Sequence, residues 1–283
     1  MRAIFMKCGV AIFAVLAQVA MPCMAEECKS PTGDCVAVGK WNFSLALGAG
    51  LRTNPLDDAK NIPLVVIPQF NYYGKRFFID NLDLGVTLAE NNANTLNLIA
   101  SPSYDRVYFV RGDLQNFIVP GGVGTNSAAT PALARVFSSG AVQLRPPHPH
   151  ISYLVGPEWT FTAHSVSGQL DLLREVTGQY GGDEIRAAVQ FPFSGSPNSL
   201  NAGIGVTWKS AALVNYYYGA GSFYSPGSAL NPFVKLGYTR PLAGKWSFTA
   251  FAHYEHLGSA IARSPYIVRP QVVTFFAGFL YTH

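Results

Sequence analysis

Few side chains in this sequence have the types and spacing that catalysis requires. His164 and Ser165 are adjacent and Asp171 follows six residues later, so a nucleophilic serine with a histidine base is the first chemistry to consider. Successive side chains of a strand point to opposite faces, so His164 and Ser165 would not reach each other. We therefore expect no catalytic residues here and no enzyme activity.

Histidine pairs raise the second possibility, metal binding. His253 and His256 are three residues apart, a spacing that suits a helix face and not a strand. His148 and His150 flank a proline and are typical of an exposed turn. The glycine run 121–124 is not followed by a helical pattern, so it does not predict a phosphate-binding loop. We expect neither a metal site nor a cofactor.

Charged side chains inside otherwise apolar segments are the more informative group. Each charged group needs water or a polar partner, which a hydrocarbon environment does not supply. If the apolar face of each segment meets lipid, the charged face must line a polar lumen. The candidate lumen residues are Asp83, Glu158, Asp171, Glu184, Arg186, Lys209, Lys235 and Glu255.

The segments that carry these charges alternate apolar and polar residues with a period of two, which is the pattern of β-strands. The alternation is clearest at 41–51, 200–208 and 246–254. The whole chain yields twelve such segments, each of ~10 residues or more, close to the length that crosses a bilayer at a tilt. They lie at 41–51, 62–73, 76–88, 94–104, 149–163, 165–176, 183–193, 198–208, 212–219, 231–241, 244–256 and 269–282.

Lipid explains the apolar faces better than a soluble core does. Trp246 and Tyr254 are eight residues apart, or about 20 Å of membrane depth in a strand tilted by about 40°. The small side chains of Ala250 and Ala252 between them would leave holes in a close-packed core. A soluble lipocalin-like barrel would have the two faces reversed. We predict lipid contact for Trp41, Leu45, Leu47, Ile204, Val206, Phe248 and Ala250.

The predicted fold class is all-β, a transmembrane antiparallel up-and-down β-barrel of about 12 strands (10–14). Composition agrees, since 49% of the residues are hydrophobic and 13% are charged, against the roughly 25% charged residues usual in soluble domains. Helical membrane proteins need several apolar runs of ~20 residues, and only the N-terminal segment approaches that length. The 37 aromatic residues (19 Phe, 14 Tyr and 4 Trp) exclude disorder.

Residues 1–25 are interpreted as a signal peptide, with Arg2 and Lys7 before an apolar stretch and a small-x-small cleavage site. Subtracting those two cations from the 20 Lys and Arg leaves 18 against 16 Asp and Glu, a balance that predicts no nucleic-acid partner. Residues 26–40 form the predicted periplasmic N-terminal segment. Cys28 and Cys35 are the only cysteines after the signal peptide, and we expect them to form a disulfide in an oxidising compartment.

The barrel is predicted over 41–283, with a long loop or plug at 105–148. Counting four predicted strands before this segment places its start on the periplasmic side. Its charged residues Asp105, Arg106, Arg111 and Asp113 are expected to pair with lumen groups such as Glu158, Arg186 or Lys235. Loops of this length are usually functional or disordered.

Short aromatic and small-residue motifs recur in order along the chain. They are Tyr217-Tyr218-Gly219, Tyr238, Trp246, Leu257, Ala260-Ile261-Ala262, Ser264-Pro265, a Phe279-x-Tyr281 ending and, upstream, Ser101-Pro102-Ser103-Tyr104-Asp105-Arg106 and Gly112-Asp113-Leu114. In order and spacing they resemble the MipA/OmpV family of Gram-negative outer-membrane proteins over essentially the whole mature chain. Two departures are the Thr282-His283 ending, where the family typically ends in Phe, and Asn54-Pro55 in the first loop.

The resemblance implies a scaffold in the cell outer membrane that holds murein-processing enzymes, namely a lytic transglycosylase and a murein synthase in the periplasm. The other partners it implies are outer-membrane lipid and the barrel-assembly machinery, which would recognise the aromatic C-terminal strand. The charged lumen leaves open an alternative function, a narrow channel for small polar solutes. Twelve strands lie between the filled eight-stranded barrels and the open sixteen-stranded ones.

Overall fold

The computed structural model describes residues 38–57, 59–110, 149–194 and 198–283, and it is a closed antiparallel barrel of twelve strands. This confirms the predicted fold class. The strands are β1 Trp41–Arg52, β2 Ile62–Tyr73, β3 Phe77–Asp80, β4 Asp83–Glu90, β5 Asn94–Pro102, β6 Tyr153–Ala163, β7 Val166–Glu175, β8 Asp183–Ser194, β9 Ser199–Lys209, β10 Ala229–Pro241, β11 Trp246–His256 and β12 Gln271–Thr282.

The barrel closes by pairing β1 with β12, in register from Ser44 opposite Thr282 to Arg52 opposite Thr274. The start of β1 and the end of β12 therefore lie at the same end of the barrel, which we call the termini end. The opposite, loop end carries all three helices of the described residues, α1 Arg106–Phe109, α2 Ala211–Tyr218 and α3 Ser259–Ala262. No helix in the described ranges is long and apolar enough to cross a membrane.

Two of the predicted segments are wrong, and their errors cancel in the strand count. The segment 76–88 is two strands, β3 and β4, because Asn81 turns the chain with a left-handed φ of 56°. Its Oδ1 also accepts a hydrogen bond of 3.0 Å from the Phe70 N–H. The segment 212–219 is helix α2, whose N-cap is Ser210; the Ser210 side chain accepts a hydrogen bond from the Leu213 N–H. A serine cap of this kind favours a helix over a strand.

The turn at Asn81 adds a strand before residue 105. The segment 105–148 therefore starts at the opposite end of the barrel from the predicted one. Five strands, β1 to β5, precede residue 105, so the chain reaches it at the loop end, opposite the termini. The prediction that 105–148 starts on the same side as the N-terminus is therefore wrong. Of this segment the structure describes residues 105–110, and these enter the mouth of the barrel.

The barrel wall is shorter at β3 than elsewhere, because this strand has only 4 residues. Strand β2 pairs with β1 along its length but with β3 only from Asn71 to Tyr73. Pro63 and Pro68 lie in the stretch of β2 that has a paired strand on one side only. Proline has no N–H to donate to a second neighbour, so sheets confine it to such edge positions.

Side chains predicted to face lipid point away from the barrel interior. Trp41, Leu45, Leu47 and Ile204 keep between 39% and 50% of their surface exposed, whereas Ala46, between two of them, keeps 2%. Trp41 packs against Tyr72 near the termini end, with ring centroids 5.2 Å apart. Apolar outward positions with aromatic residues near one rim are typical of barrels that span an outer membrane.

Ile204, at the centre of β9, provides a test of this lipid-facing surface. We expect Ile204→Arg to lower the free energy of unfolding in lipid by ~2–4 kcal/mol, because the charge would enter hydrocarbon near the bilayer midplane. Denaturant titration in vesicles measures this cost. The control is Gly203→Ser, since a Cβ at this inward position lies 3.5 Å from the nearest atom, the Val189 carbonyl oxygen. Equal costs for the two variants would contradict the assignment of faces.

Gly205 also points inward, and alternation alone would predict that Gly205→Ser is tolerated, but it does not serve as a second control. A Cβ there would overlap the Phe233 ring and approach the Ala187 carbonyl oxygen to 2.6 Å. Gly205→Ser is therefore expected to destabilise the barrel through crowding. The two neighbouring inward glycines differ because only one of them faces a large ring across the strand pair.

The barrel interior is divided between two apolar clusters and a polar region. One cluster covers the inner wall of β1, β2 and β12, where Ala46, Ile62, Leu64, Ile67 and Phe276 are buried. The second fills the loop end and includes residues of all three helices. Nearer the termini end the inward side chains are polar and only half-buried, among them Ser44, Asn71, Thr160, Gln190, Asn201 and Thr239.

Candidate functional site

Helix α2 forms the centre of a cap that fills the barrel mouth at the loop end. Leu213, Val214, Tyr217 and Tyr218 have 0% of their surface exposed. Phe109 of α1 packs against both tyrosines, with ring centroids 6.0 Å from Tyr217 and 5.6 Å from Tyr218. Burial of such large side chains is strongly favourable, so the cap is part of the folded core.

Hydrogen bonds tie the loops of the cap to one another. The hydroxyls of Ser152 and Tyr217 are 3.0 Å apart. The Ser264 hydroxyl, beyond α3, donates to the Tyr218 carbonyl at 2.7 Å. The Tyr224 hydroxyl donates to the carbonyl of Ala260 in α3 at 2.6 Å. The cap therefore joins segments before β6, after β9 and after β11 into one unit.

A buried ion pair attaches the beginning of the long segment to the barrel wall. The Lys209 ammonium donates to both carboxylate oxygens of Asp105, at 2.7 and 2.6 Å. The Tyr218 hydroxyl donates to the same carboxylate at 2.5 Å. Burial raises the pKa of Tyr218 well above its usual value and the charge of Asp105 raises it further, so this hydroxyl stays a proton donor.

For Asp105, the structure shows a pair with a predicted lumen residue, although this residue is Lys209 and not one of the three given as examples. Asp105 binds Lys209, and neither Arg186 nor Lys235. The Arg106 guanidinium donates from Nε to the Pro149 carbonyl at 2.9 Å. The positions along the strands explain the difference. Lys209 is the last residue of β9, at the loop end, whereas Arg186 and Lys235 lie deeper in the barrel and further from residue 105. Arg111 and Asp113 lie outside the described residues, as do Cys28 and Cys35.

A second buried pair lies on β8. Arg186 donates to Glu184 at 2.5 Å from Nε and to the Ser101 hydroxyl at 3.0 Å from Nη1. Its guanidinium also lies over the Tyr104 ring, 5.6 Å from the centroid. Glu184 stands directly opposite Lys209 across the β8–β9 pair. Below the cap, the carboxylates of Glu184 and Asp105 therefore balance the positive charges of Arg186 and Lys209.

Further acidic side chains lie on the wall from β3 to β7. Glu158 accepts from Asn97 Nδ2 at 2.7 Å and from Gln169 Nε2 at 2.9 Å. The same Gln169 nitrogen donates to both oxygens of Asp171, at 3.0 and 3.1 Å. Asp83 accepts from the Tyr104 hydroxyl at 3.4 Å. Neutral groups supply these hydrogen bonds.

The remaining lumen candidates lie on β10 and β11. The Lys235 ammonium lies over the Phe233 ring, 5.3 Å from the centroid. Glu255 accepts from Asn231 Nδ2 at 2.8 Å. All eight predicted lumen residues thus point inward, with Asp171, Glu184, Arg186, Lys209 and Lys235 the most deeply buried.

The residues considered for catalysis and metal binding do not converge. His164 and Ser165 form the exposed turn between β6 and β7, and His164 has a left-handed φ of 56°. His253 points into the barrel and is 7% exposed, whereas His256 is exposed. Within the described ranges no group of three His, Cys, Asp or Glu side chains has the arrangement of a metal site. His148 lies outside those ranges.

The termini end presents a basic rim. Lys40, Lys75, Arg76, Arg240 and Lys245 are exposed around it, and Glu90 is the acidic side chain among them in the described residues. Sequence analysis did not identify this rim, because its members lie in four different turns and strand ends. The signal that could have found it is the repeated Lys or Arg beside the tight turns 74–76 and 242–245.

A protein-family profile matches most of the chain. The profile of the family described as MltA-interacting protein MipA matches residues 45–283. The chain is 22% identical over 243 residues to the MltA-interacting protein of Escherichia coli (strain K12). This alignment covers 82% of this chain and 86% of that protein. The Shigella flexneri MltA-interacting protein shows the same identity and coverage.

Solved structures show a weaker similarity. OmpT of Vibrio cholerae, in vitro folded and in trimer form, aligns at 11% identity and a TM-score of 0.35, covering 87% of this chain and 100% of that chain. A porin structure aligns at 10% identity and a TM-score of 0.33, covering 86% and 99% of the two chains. TM-scores this low carry no functional inference.

Proposed function

This chain belongs to the MltA-interacting protein MipA family, and on that premise we propose that it is an outer-membrane scaffold that holds a lytic transglycosylase of the MltA kind at its periplasmic face. The family resemblance extends the proposal to a murein synthase as a second enzyme in the same assembly. The barrel would reach its place through the barrel-assembly machinery.

The lengths of the connections support an orientation with the termini in the periplasm. The turns at the termini end, 74–76, 91–93, 164–165 and 242–245, span two to four residues. Apart from the tight turn 81–82, the connections at the loop end are longer. Outer-membrane barrels have short periplasmic turns and longer external loops.

The observation that carries the proposal is the buried cap at the loop end. In the described residues, almost completely buried apolar and aromatic side chains fill that mouth. This argues against the alternative function, a narrow channel for small polar solutes. With the loop end filled, the termini end, with its half-buried polar lumen and basic rim, is the surface where a periplasmic protein would bind.

The basic rim supports binding by an acidic surface of the partner. Its exposed cations lie where the wall meets the aqueous phase, so they attract an acidic protein over about one Debye length, ~8–10 Å at physiological salt. The same cations would also contact lipid phosphates. The two roles separate experimentally, because lipid contact alone does not select one protein.

Charge reversal of the rim tests this proposal. We expect Lys75→Glu, Arg76→Glu and Lys245→Glu together to reduce capture of the lytic transglycosylase from solubilised envelopes at least tenfold, since attraction becomes repulsion. The matched control reverses three exposed cations of the loop end, Lys60→Glu, Arg263→Glu and Arg269→Glu, and should leave capture unchanged. Equal losses in both variants, or undiminished capture by the rim variant, would contradict the proposal.

A further inference from the structure

The polar half of the lumen becomes more buried with distance from the termini end. On β11, the inward residues Ser247, Thr249 and Phe251 are half-buried, and the next one, His253, is 7% exposed. We call this half of the lumen the vestibule; its inward side chains on β8 to β11 are Gln190, Asn201, Thr239, Ser247, Thr249 and Phe251, and His253 lies at its inner end. The exposure of these described residues indicates that the vestibule opens at the termini end.

The imidazole of His253 lacks polar partners at the inner end of the vestibule. Both of its ring nitrogens are buried, and neither has a hydrogen-bond partner among the described residues. Lys235 stands opposite His253 on β10, and Thr274 stands opposite it on β12 and accepts from Arg52 Nε at 3.2 Å. The Phe233 ring packs against the imidazole, with ring centroids 5.5 Å apart. Buried polar atoms without partners are costly, so a ligand that supplies partners for this ring would be stabilising.

The charge of this imidazole determines which class of ligand would suit it. Like charges directly opposite each other on neighbouring strands destabilise a sheet, so the ammonium of Lys235 favours a neutral ring at His253. A neutral imidazole has one N–H donor and one acceptor nitrogen. A ligand hydroxyl group both donates and accepts, whereas a carboxylate only accepts and an ammonium group only donates. Hydroxyl groups can therefore satisfy both ring nitrogens, and a purely anionic or purely cationic ligand can satisfy only one.

The wall of the vestibule on β9 to β11 is neutral in the same way. Thr239 and Thr249 stand opposite each other, and Asn201 of β9 is half-buried nearby on the inward face. Their hydroxyl and amide groups donate and accept hydrogen bonds. Between Thr249 and His253, the half-buried Phe251 ring stacks on Phe276, with ring centroids 5.7 Å apart. The wall therefore combines an aromatic surface with several neutral polar groups, a combination typical of small-molecule sites.

We propose that the vestibule binds a neutral oligosaccharide, with ligand hydroxyl groups hydrogen-bonded to His253 and a sugar ring packed against Phe251. A sugar ring carries hydroxyl groups around its edge and C–H groups on its faces, which matches this pairing of polar and aromatic side chains. Ser247 and His253 are six residues apart on β11, or about 15 Å of depth in a strand tilted by about 40°, the length of a short oligosaccharide. The site does not depend on the scaffold role, because no partner protein takes part in binding the sugar.

Titration calorimetry of the folded barrel, in a detergent without a sugar headgroup, tests the site. Maltotriose, a neutral trisaccharide, should bind with one-to-one stoichiometry and at least tenfold more tightly than trigalacturonate, a trisaccharide with three carboxylates. His253→Phe removes both ring nitrogens and should lose at least tenfold in maltotriose affinity. It should not lower the unfolding temperature, because the buried nitrogens without partners are removed as well.

The matched control is His256→Phe, the same substitution at an exposed position three residues further along β11. It should keep the maltotriose affinity of the parent protein. Equal losses in both variants, or no binding of maltotriose by the parent protein, would overturn the site. Tighter binding of trigalacturonate than of maltotriose would overturn the assignment to a neutral ligand. If His253→Phe does not fold, Thr239→Val with Thr249→Val removes two hydroxyls of the wall, and undiminished maltotriose binding by that variant would contradict the proposal.

Discussion

Replacing Lys209 with Met is expected to lower the free energy of unfolding by ~3–5 kcal/mol, because the Asp105 carboxylate would be left buried without its cation. Asp105 is 1% exposed, and among the described residues its carboxylate would keep only the hydrogen bond from Tyr218. The loss should appear in denaturant titrations of the barrel in lipid vesicles. It should also release the chain at residue 105 from the wall, so proteolysis between 105 and 149 should accelerate.

Two further variants separate the ion pair from general damage. Asp105→Asn combined with Lys209→Met should recover much of the lost stability, since neither charge remains buried. Arg174→Met removes a cation from an exposed pair, with Asp183 at 2.9 Å, and should cost ~0–1 kcal/mol. If Lys209→Met cost no more than Arg174→Met, the buried pair would not hold the segment.

Truncating the cap is expected to open the barrel. Leu213→Ala with Tyr217→Ala removes two side chains of α2 that have no exposed surface. Each truncation should cost roughly 2–5 kcal/mol, the range for large buried side chains, and together they should leave a water-accessible gap in the cap. In planar bilayers we expect the parent protein to show no steady conductance and the double variant to show discrete current steps.

Phe223→Ala is the control for this experiment. Phe223 lies in the same loop but is 75% exposed, so its removal should change neither stability nor conductance. Tyr217→Ala alone serves if the double variant does not fold. Steady single-channel currents from the parent protein would show that the cap does not seal the mouth, and would restore the narrow channel as a function.

The wall of the barrel could be predicted from the sequence because each strand repeats one simple physical rule. Alternation assigned Ile204 outward and Lys235 inward correctly, since side chains of a strand alternate regardless of its neighbours. The same rule failed where a side-chain hydrogen bond determines the local backbone conformation. Asn81 and Ser210 are single polar residues whose side chains redirect the chain; Asn81 lies within the segment 76–88 and Ser210 lies just before the segment 212–219.

The loop end could not be predicted, because it depends on contacts between residues far apart in the chain. Asp105 and Lys209 are separated by 104 positions, and nothing local to either one identifies its partner. The burial of Tyr217 and Tyr218 likewise depends on α1 and α3, which lie in other loops.

Site-specific photo-crosslinking in whole envelopes tests the scaffold most directly. A photoreactive amino acid would replace Lys75 at the termini end or Arg263 at the loop end, and crosslinked proteins would be identified by mass spectrometry. Position 75 is predicted to capture a lytic transglycosylase, and position 263 is predicted to capture none. Capture of that enzyme from position 263, or no enzyme captured from position 75, would contradict the assignment of this barrel as a periplasm-facing scaffold.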